Sequence, residues 1–254
     1  MQRTTTLALA LTAFVAIGAR AQAPAQPAPT AQPAAQGPQN TRPGVAIVDF
    51  DLGSTIGRNH ETAADYDALR RGLAALTLNE MTANQGIRVV ERAQLQQIMQ
   101  EQNLGREGRI EPGTAARIGH IVGAAYTITG TFFDLRGNVK ITIRIINSET
   151  GEIVKTSDVS GTMDNLYDMV PRLAQQVMRD ANLPPMERRA SDDFRQANPA
   201  PPTQAVMAYS RAVLYADRGD TQRAVEQYRN ALQTFPNYTQ ARTACNALQA
   251  GACS

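Results

Sequence analysis

Between residues 139 and 145 the side chains alternate without a break. Val139, Ile141, Ile143 and Ile145 are branched and apolar, while Lys140, Thr142 and Arg144 are polar. A period of two makes a strand with one face in a core and the other in water. A second strand, residues 126–135, precedes it through Arg136-Gly137-Asn138, and a third, residues 153–159, follows through Glu149-Thr150-Gly151-Glu152. Two glycine-bearing turns at this spacing predict an antiparallel meander. Its apolar face needs a covering layer, so the flanking segments decide the fold class.

Upstream, residues 45–50 (VAIVDF) form a continuous apolar run, suited to a strand covered on both faces. Residues 52–67 read as a polar loop. Leu69, Leu73, Leu76 and Met81 fall at helical spacing, which stops at Asn84-Gln85-Gly86. Residues 87–91 (IRVVE) read as a short strand, and Leu95, Ile98 and Met99 as one helix face. Pro112 opens a further helix, where its missing N–H costs nothing, with Ile118, Ile121 and Val122 as the apolar side. After the meander, Leu166, Met169, Val170, Leu173 and Val177 mark a last helix running to about Asn182, delayed or kinked by Pro171. The order β-α-β-α-α-β-β-β-α predicts an α+β sandwich over residues 44–183, long enough for one core.

The start of the chain reads as an export signal. Arg3 is a short positive region, residues 7–18 (LALALTAFVAIG) are an apolar stretch too short to span a bilayer, and Ala19-Arg20-Ala21 fits a cleavage site. Residues 1–21 are therefore expected to be removed, leaving Gln22 first and no integral membrane span in the mature chain. The lost Arg3 and Arg20 account for the whole net charge of +2, so no nucleic-acid partner is expected. No cysteine lies near the cleavage site, so the exported protein is expected not to be a lipoprotein. Residues 22–43, rich in Ala, Pro and Gln, cannot bury enough surface to order themselves and read as a disordered spacer. Residues 184–203, punctuated by five prolines, read as a linker.

Residues 204–250 resemble one tetratricopeptide repeat with a capping helix. Ala212, Tyr215, Gly219, Ala224, Tyr228, Ala231 and Pro236 carry the likeness, and Ala208 stands where a large residue is common. A lone repeat must pack on the first domain, a second copy or a partner. By the repeat's spacing, Val206, Tyr209, Val213 and Ala216 form the inward face of its first helix. That face is the candidate partner-binding surface, with Tyr209 as anchor, or else it packs on the α+β domain. Cys245 and Cys253, the only two cysteines, are candidates for a disulfide in an oxidising compartment if the tail after Leu248 folds back.

Residues 89–92 (VVER) followed by residues 95–104 (LQQIMQEQNL), the stretches 118–126 and 128–131, and residues 145–153 (IINSETGEI) together resemble the CsgG family of curli-type assembly proteins. The resemblance spans residues 44–183 and implies a periplasmic α+β domain working through protein partners in the envelope, with a homo-oligomer as a possibility. The family's secretion channel adds two long membrane hairpins per subunit. Only Phe132 to Asn138 separate Thr131 from Val139, and after Gly161-Thr162-Met163 the chain is expected to enter its last helix directly, so neither hairpin has room.

Catalytic patterns are weak. Asp49 and Asp51 share a strand face and could form an acid pair, but a strand ending in solvent or a helix-capping Asp is the favoured reading. His60 beside Glu61 and Asp65 reads as a solvated loop, His120 as a helix residue, and Gly105-Arg106-Glu107-Gly108 lacks the lysine of a phosphate cradle. Two Cys and two His are too few for a four-ligand zinc site. The expectation is a non-enzymatic, exported scaffolding protein of the cell envelope, in the periplasm near the outer membrane. It has no catalytic, cofactor-binding or metal residues. An outer-membrane secretion-channel component is the alternative, and a periplasmic hydrolase the remote one.

Overall fold

In a computed structural model, residues 42–56, 62–104 and 110–253 are described. The expected signal peptide, the spacer up to residue 41, His60, Glu61 and the Gly105–Gly108 loop lie outside them. The fold is α+β, built on a six-stranded mixed sheet. The predicted meander is its larger half. β4 (Tyr126–Leu135), β5 (Asn138–Asn147) and β6 (Ile153–Thr162) run antiparallel, with Tyr126 opposite Asn147 and Leu135 opposite Asn138. β4 and β5 join through Arg136 and Gly137, both at positive φ (57° and 84°), a primed turn whose twist suits a hairpin.

The other half is parallel. β1 (Gly44–Ile47) lies between β3 (Arg88–Val89) and the start of β4. The run expected as one strand over residues 45–50 ends at Ile47, and a second piece, β2 (Asp51–Ile56), continues beside the far half of β4. The expected polar loop over residues 52–67 is corrected here. Gly53 and Ser54 conceal β2, and Gly53 is required because the Phe133 ring lies over it, where a Cβ would collide. The loop prediction also hid the start of α1 (Ala63–Met81). It opens on a Thr62 cap whose hydroxyl accepts from Asp65 N–H, while Asp65 accepts from Thr62 N–H.

Alternate residues of β1, continued by Val48 just after it, feed two cores. Val45 and Ile47 join the larger one, under α1 and α4 (Met169–Asp180). Ala46 and Val48 join the smaller one, under α2 (Arg92–Glu101) and α3 (Pro112–Ile121). The apolar face of β5 points wholly into the larger core. A 3-10 helix (Met163–Asp168) delays α4, whose first turn holds Pro171. Within residues 184–203, α5 (Arg188–Ala197) forms between the prolines that bracket the segment.

α6 (Thr203–Asp217), α7 (Thr221–Thr234) and α8 (Thr239–Leu248) follow, with the first turn at Arg218–Asp220. Ala212, Ala224 and Ala231 are fully buried. α6 packs along α1, so the larger core runs unbroken from Val45 to Cys253. Cys245 and Cys253 are joined by a disulfide, with Cα atoms 5.9 Å apart and Gly251 at positive φ in the returning tail.

Candidate functional site

Where α6 meets the α+β layer, four elements meet around buried charges. Asp49 follows β1, Arg71 stands on α1, Arg92 is the first residue of α2, and Asp217 is the last of α6. Arg92 donates to Asp49 and to Asp217. Arg71 donates to the same two carboxylates at 3.0 Å and 3.3 Å. Burial alone would raise the Asp49 carboxyl, but the guanidiniums of Arg92, Arg71 and Arg70 outweigh it and hold the group below its ordinary range. For Asp217 burial wins: desolvation and the Asp49 charge raise it against the pull of Arg92 and Arg71. A second tie sits at the far end of the interface, where Arg211 of α6 grips Asp65 through Nε and Nη2 at 2.9 Å and 2.7 Å.

Two hollows flank this cluster. The smaller, about 250 Å³, is lined by Asp49, Asp51, Arg70, Arg71, Met99 and Ile110 among others. Asp49 and Asp51 do share it, but Asp49 is fixed by cations and Asp51 accepts from Ile110 N–H at 3.3 Å. His120 is exposed on α3, away from both hollows.

The larger hollow is a groove of about 810 Å³. Its floor is α6, with Tyr209, Val213 and Ala216. One wall is α1 and α2, with Leu78, Ala93, Gln96, Gln97 and Gln100. The other is α8, with Thr243, Ala244, Ala247 and Leu248, and Phe194 of α5 also lines the groove. Three of the four residues chosen from the repeat spacing, Tyr209, Val213 and Ala216, therefore line one groove. Val206, the fourth, is fully buried and does not reach it. Tyr209 packs edge-on to Tyr228 at 5.7 Å and against Tyr238 at 5.3 Å. Burial pushes the Tyr209 hydroxyl up to about 12.

Sequence reasoning missed the second wall and the charges at the groove's foot. The signal for Arg92 and Asp217 was present: each sits at the helix end where its charge opposes the dipole. No group of residues suited to holding a metal ion occurs among the described residues. No helix among them is long and apolar enough to cross a membrane.

Comparison with known proteins gives one family. The model of the curli production assembly/transport component CsgG matches residues 28–140. The match ends inside β5, so the 145–153 part of the resemblance lies beyond it. No curated protein matches the chain. Among solved structures the chain is similar to the C-terminal domain of LpoB from Salmonella enterica, at 18% identity and TM-score 0.33, covering 49% of this chain and 87% of that one. It is similar to TolB from Acinetobacter baumannii at 10% identity and TM-score 0.36, covering 56% and 29%. It is similar to lipoprotein GNA1162 from Neisseria meningitidis at 13% identity and TM-score 0.35, covering 55% and 96%.

Proposed function

We propose that this is a non-enzymatic cell-envelope protein that assembles envelope or secretion components by holding a protein segment in the groove between α2, α6 and α8. The groove carries the reading: it is lined by small apolar and amide side chains, and the neighbouring carboxylates are tied to guanidiniums rather than free for proton transfer. The match to a family of assembly and transport components supports the envelope setting. In this reading residues 1–21 direct export to the periplasm, the mature chain begins at Gln22 without a lipid anchor, and α6 and α7 act as a single tetratricopeptide-type hairpin seated on the α+β layer.

The test places a photo-reactive benzoylphenylalanine at Gln97 or Thr243, on opposite walls, in the full chain within its own envelope. The same discrete adduct is expected from both positions and is lost when Ala244→Trp fills the groove. Adducts from neither position, or adducts indifferent to Ala244→Trp, would remove the groove from the function.

A further inference from the structure

The groove holds two polar groups the fold does not use. Tyr209 and Tyr228 are 5% and 3% exposed and line it. Neither phenol has a hydrogen-bond partner among the described residues. Neither hydroxyl is among the sealed polar atoms that lack a partner, so both open on the groove, where an occupant that displaces their water must accept from them in its place. Of the groove's charged liners, Arg92 bonds Asp217 and Asp49 and keeps only a sealed Nε without a partner, and Arg71 bonds the same two carboxylates. An ionised side chain entering there would be desolvated with nothing left to pair it. The α2 wall adds carboxamides. Gln96 and Gln100 make only stretched contacts of 3.5 Å within the protein, leaving amide donors and acceptors turned to the space.

Resting on the groove reading above, we infer that the occupant is an uncharged protein segment bound in extended form. Its main-chain carbonyls take the Tyr209 and Tyr228 hydroxyls and its backbone meets the glutamines of α2. Its small side chains lie on the alanines of α2 and α8. A helix fits poorly because its own ladder already uses its carbonyls, and the two phenols would stay unpaired.

The test selects a phage-displayed library of random nine-residue peptides against the full chain. Enriched sequences are expected to be depleted of Asp, Glu, Lys and Arg and to tolerate interior proline, which a bound helix would exclude. The Tyr209→Phe/Tyr228→Phe protein keeps both rings and should melt no lower than the parent, while binding the best peptide about tenfold more weakly. Enriched sequences that are charged or carry a helical apolar period would overturn the inference. So would an absence of enrichment, or unchanged affinity in the double phenylalanine protein. If groove adducts still form from Gln97 and Thr243, only this ligand chemistry fails; if they too are missing, the groove reading fails with it.

Discussion

The groove exists because α6 lies against α1 at very short range, and that approach depends on one missing methyl group. Gly72 of α1 faces Ser210 of α6. A Cβ at position 72 would stand 2.8 Å from the Ser210 Cα and 2.5 Å from its Cβ. Ordinary contact starts at 3.4 Å, so Gly72→Ala has to push α6 outward by about 1 Å. Overpacking of this kind costs ~1–3 kcal/mol, and a gap near 1 Å forfeits up to about half of each lost dispersion contact. The upper figure applies because Val206, Tyr209 and Val213 all pack at this interface. Alanine's better helix propensity returns about 1 kcal/mol. The net loss is about 2 kcal/mol, or roughly 4–8 °C in Tm for a unit of this size. Ser210→Ala should act oppositely. The Ser210 hydroxyl is buried with no partner, so its removal should raise stability by about 1 kcal/mol. In Gly72→Ala/Ser210→Gly only the contact with the Cα remains, so most of the loss should return. Thermal and urea unfolding followed by circular dichroism would measure all three. A Gly72→Ala protein as stable as the parent, or a destabilised Ser210→Ala protein, would refute this account of the interface.

Three further outcomes follow from the charges and the disulfide. Arg92→Met leaves Asp49 and Asp217 buried with Arg71 as the one cation still bonded to both, and urea unfolding at neutral pH should show a loss of about 3–5 kcal/mol that shrinks as acid protonates the carboxylates. Glu80 is 5% exposed, and burial raises its carboxyl above the ordinary 4.5 despite Arg195. Its folded form therefore binds the proton more tightly than its unfolded form, and the penalty it imposes at neutral pH fades as pH falls through the folded value toward 4.5. Glu80→Gln should accordingly be more stable than the parent at pH 7, with the gap closing in acid, as urea midpoints across that range would record. Reducing the Cys245–Cys253 bridge, which closes a separation of 8 residues, should cost about 2–3 kcal/mol by releasing loop entropy in the unfolded chain, read as a lower Tm with reductant.

The strands of the meander were legible because strict alternation has only one physical reading, and the Pro112 helix because proline marks its own position. β2 was illegible because its middle is Gly53-Ser54, chosen for the ring lying above it rather than for strand propensity. α5 was hidden by the prolines around it, although residues 186–198 contain neither proline nor glycine. At the site, repeat spacing alone located Tyr209, Val213 and Ala216, since i, i+4 and i+7 share a helix face. It could not supply α2 as the facing wall, because no local pattern says which helix of another layer will lie across a groove.

The residues least readable in isolation are the ones whose local cost implies a partner. Arg92 places a cation at the positive end of α2, and Asp217 places an anion at the negative end of α6. Each is unfavourable within its own helix by a few tenths of a kcal/mol up to about 1 kcal/mol. Brought together with Asp49 and Arg71, the two misplaced charges neutralise each other and pin the end of α6 to the start of α2. Both members of that ion pair line the groove, where their charges balance. The electrostatic cost borne by two helices thus has one structural effect, a hollow whose ionic liners are paired with opposite charges and whose open polar groups are phenols and amides.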